Sequence, residues 1–229
     1  MKILMMNIAT NKYTRFVDDF YVSCNQFFLP NTDVHHLLFT DNMEFETNTG
    51  VPLKKSYVEH KPFPEPTLKR YHYFLQERDY IEQFDYVFYS DIDMKFVSPV
   101  SEEEICSDLT LTIHPMIRTN RELYSYDSNK ESTAYININT EGEYYFCGGF
   151  NGGSSKKFME LSNTIAKNVD TDSKKGTMAI WHDESHLNRY AVDNPPTNII
   201  DWCVTDWYWA RTGQGKLICL SKDHTEIRS

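Results

Sequence analysis

Apolar residues recur along the first part of the chain in runs that predict strands and helices in turn. Ile3–Ile8 is a continuous apolar run of the kind found in buried strands, and Val34–Thr40 repeats that pattern. Between these runs, Tyr13–Phe28 carries apolar residues at helical spacing and ends before Pro30. The pattern therefore predicts a strand, a helix and a second strand.

The next segments continue the alternation. Residues 42–66 are polar and rich in proline, which predicts a long connection. Thr67 is then expected to cap a helix over Leu68–Phe84, and Tyr86–Tyr89 forms a third strand. Alternating strands and helices indicate an α/β fold with a mostly parallel sheet and helices on its faces.

The second half of the chain has a more mixed pattern. The predicted elements, in order, are a strand over Leu109–His114, a polar loop over 118–131, strand-like segments at Ala134–Ile138 and Tyr144–Phe146, a helix over Ser155–Val169, a helix from about His182 to before Pro195, and an irregular tail over Trp202–Ser229. Because no linker or repeat interrupts the pattern, we expect one domain over residues 1–229.

Composition and charge narrow the classes of partner. The 229 residues include 40% hydrophobic and 24% charged residues, as in ordinary globular proteins. The formal net charge of -10 argues against a nucleic-acid groove or an anionic membrane surface as the main partner. The aromatic share of 14% suits either sugar stacking or a tyrosine-rich core.

The cysteines and the N-terminus favour a cytoplasmic protein. The five cysteines are scattered and odd in number, which predicts free thiols in a reducing compartment. The apolar run Ile3–Met6 is too short for a signal peptide, and no run approaches the roughly 18 apolar residues of a membrane span. We therefore expect a soluble chain with no membrane span.

Asp91-Ile92-Asp93 is the first motif whose residues suit metal binding. It directly follows the predicted strand Tyr86–Tyr89, and residues two apart in an extended chain point to the same side. Such a pair could hold Mg²⁺ or Mn²⁺ together with a diphosphate, or it could serve as a helix cap or structural pair. By contrast, Asp170-Thr171-Asp172 follows a predicted helix and is interpreted as a solvated turn.

Trp181-His182-Asp183-Glu184-Ser185-His186 is the second motif. His182 and His186 are four residues apart and would share a helix face, which leaves a zinc hydrolase open. The zinc-protease helix, however, places Glu directly after the first His, where this chain has Asp183. The alternatives are an ordinary amphipathic helix start and a pair of catalytic carboxylates beside Trp181, since sugar chemistry uses carboxylates to stabilise a cationic anomeric centre.

The segment from Tyr144 to Gly153 holds four glycines in six positions before a predicted helix. Its spacing matches neither the dinucleotide-binding nor the phosphate-binding loop, so both are rejected. The glycines indicate either tight turns or a ligand that closely approaches the backbone.

Taken in order, these motifs resemble glycosyltransferase family 6, the family of the histo-blood-group A and B transferases and the α1,3-galactosyltransferase. The resemblance runs over about residues 2–200 and rests on Thr67-Leu68-Lys69-Arg70, Asp91-Ile92-Asp93-Met94, His114-Pro115, Ser132–Ile136, Tyr144–Gly153 and Trp181–Asn188.

The resemblance implies a GT-A fold and a retaining transfer of Gal or GalNAc from a UDP-sugar to a galactoside acceptor through an α1,3 linkage. The acceptor would be an oligosaccharide or a glycolipid-type glycan. Because both acids of the Asp pair are kept, it also implies the metal-dependent branch of the family, with Mn²⁺ or alternatively Mg²⁺ as cofactor. Residues 1–95 would bind UDP, and residues 96–229 would bind the acceptor.

The resemblance also implies roles for individual residues. Glu184 would be the catalytic carboxylate, and Asp91 and Asp93 the metal ligands. The residues expected at the UDP-sugar donor are Ile8, Ala9, Thr10, Tyr13, Arg70, Asp91, Cys147, Gly148, Gly149 and Asp183. The residues expected at the acceptor are His114, Trp181 and Glu184.

Two further expectations concern donor choice and the tail. Cys147 and Gly149 match the positions that set donor choice, and glycine at the second leaves room for the N-acetyl group of GalNAc. Lys216, Lys222 and Arg228 are candidates to close over UDP. Besides the zinc hydrolase, a glycan-binding module without catalysis, built on the Trp and Tyr residues, stays an alternative.

Overall fold

A computed structural model describes residues 1–117 and 120–228, without the side chain of residue 228. Its main sheet has seven strands in the order β3-β2-β1-β4-β7-β6-β8. Those strands are β1 (Ile3–Ile8), β2 (Val34–Thr40), β3 (Leu53–Tyr57), β4 (Tyr86–Ser90), β6 (Leu109–Ile113), β7 (Phe146–Ser154) and β8 (Asn198–Ile200). A smaller sheet, in the order β5-β10-β9, consists of β5 (Met94–Phe96), β9 (Cys203–Thr205) and β10 (Leu217–Cys219).

The helices cover both faces of the main sheet. They are α1 (Val17–Phe27), α2 (Glu65–Leu68), α3 (Arg70–Gln76), α4 (Arg78–Ile81), α5 (Glu102–Ile105), α6 (Ser155–Lys174), α7 (His182–Asp193), α8 (Asp206–Thr212) and α9 (His224–Arg228). One apolar core, which includes residues of α3, α6 and α7, packs on one face, and a second, which includes residues of α1, packs on the other. The predicted α/β fold of GT-A type is confirmed.

The central strands form because their residues are apolar on both sides. β1 is parallel to both β2 and β4, and Ile3–Met6 is completely buried between the two cores. β1 and β4 therefore end at the same edge of the sheet, where ligands bind in open α/β folds. The Asp91 motif follows β4 at that edge.

The glycine-rich segment is a strand, not the series of turns that its composition indicates. β7 is antiparallel to β4 and β6, with Val87 opposite Gly153 and Phe88 opposite Gly152. A Cβ at Gly152 would lie 2.4 Å from the carbonyl oxygen of Val87, so a side chain is sterically excluded there. Because β7 runs in reverse, its beginning lies at the edge where β1 and β4 end.

Several predicted boundaries are wrong. The connection over residues 42–66 contains β3, and the helix predicted over Leu68–Phe84 is divided into the short helices α2, α3 and α4. Thr67 lies inside α2, where its hydroxyl donates to the carbonyl of Pro64, so it is not a helix cap. Ala134–Ile138 forms no strand, and the predicted irregular tail contains β9, α8, β10 and α9.

Two further observations concern the cysteines and the helices. All five cysteines are free thiols. Among the described residues, no helix combines the length and the apolar character that crossing a membrane requires.

Candidate active site

A cleft opens at the sheet edge where β1 and β4 end and β7 begins. Its wall includes six of the predicted donor-site and metal-site residues: Ile8, Thr10, Tyr13, Arg70, Asp91 and Asp93. The segment from His60 to Phe63 forms the opposite wall, and Lys222 and Ile227 from the tail lie beside Tyr13. The cleft therefore joins residues that are far apart in the sequence.

The end of β1 shapes the first wall of this cleft. Ala9 is fully buried, and its amide donates to the carbonyl of Phe39, so it supports the wall without lining it. Thr10 and His60 are within hydrogen-bond distance, with 3.1 Å between Oγ1 and Nδ1. Tyr13 follows in a 3₁₀ turn, where its ring lies beside Lys222.

Asp91 is the more exposed acid of the pair, with 37% of its side chain accessible. One carboxylate oxygen accepts a 2.7 Å hydrogen bond from the hydroxyl of Tyr89 and lies 3.3 Å from the guanidinium of Arg70. Its amide donates to the carbonyl of Gly149, which fixes the pair against β7. The carboxylate is thus oriented and still reachable from the cleft.

Asp93 is buried, and its carboxylate contacts the ammonium of Lys222. The tail reaches this position because β10 pairs antiparallel with β5, and the amide of Leu220 then donates to the carbonyl of Asp93. Lys222 therefore lies at this site, while its predicted role in closing over UDP stays a prediction. Lys216 instead contacts Glu104 and the carbonyl of Pro99, and the side chain of Arg228 lies outside the described residues.

Arg70 is a buried cation at the centre of the site. Its guanidinium donates to the carbonyl of Gly148 at 2.5 Å, lies 3.3 Å from the carboxylate of Asp183, and stacks over Tyr89 at 4.4 Å. Burial lowers the pKa of Arg70, but Asp183, Tyr89 and Asp91 more than reverse that effect and raise it. The group therefore stays charged in a low-polarity surrounding.

Asp183 and Glu184 begin α7 and reach this centre side by side. Burial raises the pKa of Asp183 to about 6, although Arg70 acts in the opposite direction. Asp183 Oδ2 and Arg70 Nε have no hydrogen bond, because they meet only as an ion pair at 3.3 Å. Each of these two atoms therefore has an unused hydrogen-bonding position beside the cleft.

Glu184 accepts hydrogen bonds from two groups. The hydroxyl of Tyr145 donates to one oxygen at 3.0 Å and the amide of Gly148 to the other at 2.9 Å. Burial raises the pKa of Glu184 to about 7, while these two hydrogen bonds oppose that rise. A carboxylate held in place with a pKa near neutrality suits acid, base or charge-stabilising chemistry.

The beginning of β7 supplies the backbone between these carboxylates. Burial raises the pKa of the Cys147 thiol, so this residue is a neutral, apolar contact. A Cβ at Gly148 would lie 3.2 Å from the guanidinium of Arg70. At Gly149 it would lie 3.4 Å from both Asp91 Oδ2 and Met94 Sδ, so this glycine leaves the volume of a methyl group beside Asp91.

Two of the three predicted acceptor residues, His114 and Trp181, lie near the aromatic residues that surround Tyr145. His114 packs against the ring of Tyr145 with centroids 5.7 Å apart, and burial lowers its pKa, which favours the neutral form. Trp181 is 48% exposed, and its indole donates to the hydroxyl of Ser125 at 2.7 Å. An exposed ring held at its edge can stack on an incoming ligand.

The second Asp-x-Asp motif is not a solvated turn. Asp172 is buried in the last turn of α6 and accepts hydrogen bonds from the Ser132 hydroxyl and the Thr133 amide. Its carboxylate lies 3.9 Å from the buried ring of His186. Asp170 is the exposed member and pairs with Lys69. The motif is therefore a clamp that ties the loop before β7 to α6 and α7.

Three positioning residues carry no role in the sequence interpretation. Tyr89 holds Asp91, Tyr145 holds Glu184, and the amide side chain of Asn188 exchanges two hydrogen bonds with the backbone of Phe146. Only Tyr89 had a local signal, because it lies two residues before Asp91 on a strand. The other two depend on α7 meeting β7.

The zinc alternative receives no support from the geometry around α7. His186 is buried beside Asp172, whereas His182 lies against Phe63 at the cleft wall. Over residues 1–117 and 120–228, no group of three or more His, Cys, Asp or Glu residues is placed to hold a metal. The two histidines therefore serve different parts of the structure.

Comparison with known proteins agrees with this geometry. The family model for glycosyltransferase family 6 matches residues 1–228. Human globoside α1,3-N-acetylgalactosaminyltransferase 1 is 31% identical over 202 residues, which cover 84% of this chain and 57% of that protein. Rat histo-blood group ABO system transferase 1 is 29% identical over 238 residues, which cover 96% of this chain and 67% of that protein.

A bacterial relative is matched over most of its own length. The O-antigen biosynthesis glycosyltransferase WbnI of Escherichia coli is 32% identical over 198 residues, which cover 86% of this chain and 84% of that protein. The human relative is longer, and the chain spans a little over half of its length. These matches confirm the predicted resemblance and the predicted class of enzyme, a hexosyltransferase. The chain belongs to glycosyltransferase family 6.

Proposed function

We propose that the chain transfers GalNAc, or Gal, from its UDP-sugar to a galactoside glycan with retention of configuration, forming an α1,3 linkage. The observation that carries this proposal is the position of Glu184. Its carboxylate is fixed by Tyr145 and by the amide of Gly148, whose carbonyl binds Arg70 in the wall of the cleft, and it lies three positions after the exposed Trp181. Donor and acceptor can therefore meet at one carboxylate.

The donor half of the proposal rests on the cleft. The uracil is assigned to the wall of Ile8, Thr10 and Tyr13 at the end of β1. Arg70 faces the sugar and diphosphate, because it is a charged group fixed by Gly148 and by two carboxylates. We assign donor binding to residues 1–95 with the beginning of β7, and acceptor binding to the rest of residues 96–229.

Glu184 is assigned to the reacting face of the sugar. As the bond to UDP breaks, positive charge develops at the anomeric carbon, and an ionised carboxylate beside it lowers the energy of that state. The amide of Gly148 and the hydroxyl of Tyr145 keep the carboxylate from rotating away. Asp183 contacts the sugar from the neighbouring position and holds Arg70 in place.

Asp91 and Asp93 fit a hard divalent cation in part. Both offer carboxylate oxygens, which Mn²⁺ and Mg²⁺ prefer, and Asp91 remains accessible from the cleft. Asp93 is paired with Lys222, so that contact must open for Asp93 to act as a ligand. When bound, Mn²⁺ would offset the charge on the leaving diphosphate.

GalNAc is preferred as donor because Gly149 leaves space beside Asp91 and Met94. The names of the human relative and its homologues, which are N-acetylgalactosaminyltransferases, agree with that choice. The acceptor, an oligosaccharide or glycolipid-type glycan, is assigned to the surface between His114 and Trp181.

The first test is hydrolysis of UDP-GalNAc and UDP-Gal without acceptor, each with Mn²⁺ and with EDTA. Slow UDP release that requires the metal and prefers UDP-GalNAc is the expected result. Metal-independent release would remove the cation role of Asp91 and Asp93 and leave the transferase. No release and no UDP binding under any condition would favour a glycan-binding module without catalysis.

A further inference from the structure

An exposed apolar segment lies directly before α7. Met178, Ile180 and Trp181 are 55%, 54% and 48% exposed, whereas Ala179 between them is buried. The segment is held in this orientation, because the amide of Ile180 donates to the carboxylate of Asp127. Three large apolar side chains therefore face solvent from a fixed backbone.

A fourth exposed apolar side chain lies in the loop that contacts this segment through Ser125 and Asp127. Leu123 is 54% exposed and lies two residues before Ser125, whose hydroxyl accepts the hydrogen bond from Trp181. We call Leu123, Met178, Ile180 and Trp181 the apolar rim. Grouped exposed apolar residues of this size mark contact sites, unlike the isolated ones found on every protein.

The charge beside the apolar rim differs from that of the whole chain. Lys174 and Lys175 end α6 and are exposed, and no acidic residue occurs from 173 to 182. The chain as a whole carries a net charge of -10. The facing loop is mixed, with Lys130 beside Glu131, so the basic character comes from the two lysines of α6.

We propose that the apolar rim rests on a lipid bilayer with anionic headgroups. Aliphatic side chains such as those of Met178 and Ile180 enter the boundary between headgroups and acyl chains, and nearby lysines are attracted to anionic lipids. Trp side chains favour the headgroup level, where Trp181 can still meet the glycan of a lipid. These two lysines thus oppose, beside the rim, the repulsion that the overall charge predicts. Binding is peripheral, through side chains that lie on the membrane.

The position of the apolar rim connects it with the proposed acceptor site. Trp181 directly precedes α7, whose first turn carries Glu184 and also Asp183, the partner of Arg70 in the cleft wall. A bilayer at the rim would therefore bring lipid-attached glycans close to Glu184. This consequence rests on the proposed function, and it narrows the acceptor class to a glycan carried by a membrane lipid.

The test is co-sedimentation of the full chain with vesicles of phosphatidylcholine mixed with phosphatidylglycerol, compared with phosphatidylcholine alone. We expect binding to the mixed vesicles. The double variant Met178→Ser/Ile180→Ser should bind about tenfold more weakly, because two exposed apolar side chains are lost. Lys174→Glu/Lys175→Glu should weaken binding about tenfold or more at low salt.

Control variants test whether losing an exposed apolar side chain or a positive charge elsewhere on the protein has the same effect on vesicle binding. Val22→Ser changes a residue that is 56% exposed on α1 and should leave vesicle binding unchanged. Lys2→Glu/Lys156→Glu makes the same charge change near Asp85, at the opposite edge of the sheet, and should have less than a threefold effect. Equal loss in both lysine pairs would overturn the proposal in favour of general electrostatics.

Two further outcomes would overturn it. One is the absence of vesicle binding by the wild type. The other is a dimer in analytical ultracentrifugation that Met178→Ser/Ile180→Ser dissociates, which would assign the rim to a second copy of the chain. Hydrolysis of UDP-sugar without acceptor is measured on the same samples. Normal hydrolysis with no vesicle binding would reject the bilayer contact alone and leave the proposed function standing.

Discussion

Two groups of carboxylates in this chain look alike in sequence and differ in how they are satisfied. Beside the cleft, Asp183 Oδ2 has no hydrogen bond and meets Arg70 only as an ion pair, and burial raises the pKa of Asp183 to about 6. In the clamp, Asp172 receives an amide and a hydroxyl. Hydrogen bonds that fully satisfy a carboxylate fix structure, whereas incomplete satisfaction leaves it available for a ligand.

Each group also contains one Asp-x-Asp motif, and two adjacent basic residues at the start of α3 each form an ion pair with one of the motifs. Lys69 pairs with Asp170, and Arg70 pairs with Asp91. The motif in the cleft has its partners in a ligand-sized opening, and the other has them between packed segments. The three-letter pattern therefore carries no function until its surroundings are known.

The largest effect expected from this contrast is on the cleft side. Glu184→Gln keeps the shape of the side chain but removes its charge, so transfer and UDP-sugar hydrolysis should fall about a thousandfold. UDP binding should stay close to wild type, and the free energy of unfolding should fall by about 1 kcal/mol, because removal of a buried charge partly offsets the loss of one of the two hydrogen bonds that Glu184 accepts. Normal turnover in this variant, measured by UDP release, would remove the assigned role of Glu184.

The next largest effect is expected at Asp93, the buried acid of the motif in the cleft. Asp93→Asn should lower metal-dependent hydrolysis about a hundredfold, because a neutral amide binds a divalent cation poorly. Titration with Mn²⁺ should show weaker activation as well. An unaffected enzyme with an unchanged Mn²⁺ requirement would show that Asp93 serves the contact with Lys222 alone.

The pH profile sharpens the contrast without removing a carboxylate. Under the proposed function the ionised form of Glu184 is the active one, so kcat/KM should rise about tenfold between pH 6 and pH 8, around its pKa of about 7. Tyr145→Phe removes a hydrogen bond that lowers this pKa, so the rise should move to higher pH. A flat profile in both proteins would mean that another group limits the rate.

A substitution beside the cleft should change the preference between the two donor sugars. Gly149→Ala places a methyl group about where contact with Asp91 and Met94 begins, so the fold should tolerate it. The ratio of activity with UDP-GalNAc to that with UDP-Gal should fall about tenfold, the usual worth of a methyl-sized change in a pocket. The same ratio in both proteins would remove Gly149 from donor selection.

The smallest effect on activity, and the largest on stability, is expected in the clamp. Asp172→Asn leaves the Ser132 and Thr133 donors poorly satisfied and should cost about 2–3 kcal/mol of the free energy of unfolding. Activity per folded molecule should stay within about threefold. Asp170→Asn, the exposed neighbour, is the control and should change stability by less than about 0.5 kcal/mol. Chemical denaturation measures both; equal values would refute the clamp.

Sequence patterns predicted the elements whose signal is local. The apolar runs of β1, β2 and β4 determine strands because both of their faces are buried. β3 was missed since its lysines make it an edge strand of mixed character. β7 was missed because glycines carry no alternation, and its conformation is decided by the backbone of β4 and the chain at Asp108.

The same division holds for the candidate site. Asp91 and Asp93 follow a strand and Glu184 begins a helix, so their neighbours in sequence indicate a function. The role of Asp172 depends on Ser132 and Thr133, about forty positions earlier in the chain. Distant partners of this kind cannot be inferred from one sequence, and the interpretation of that motif as a solvated turn was wrong for this reason.

The connection between β6 and β7 has a consequence for how this architecture can diversify. It leaves and re-enters the sheet at the cleft edge, while both strands keep other neighbours, β8 and β4. Insertions or exchanges in this connection, apart from Tyr145 and the clamp residues Ser132 and Thr133, can therefore leave the strand register untouched. Under the proposed function, a new acceptor can evolve through this one loop while the donor half of the cleft is inherited unchanged.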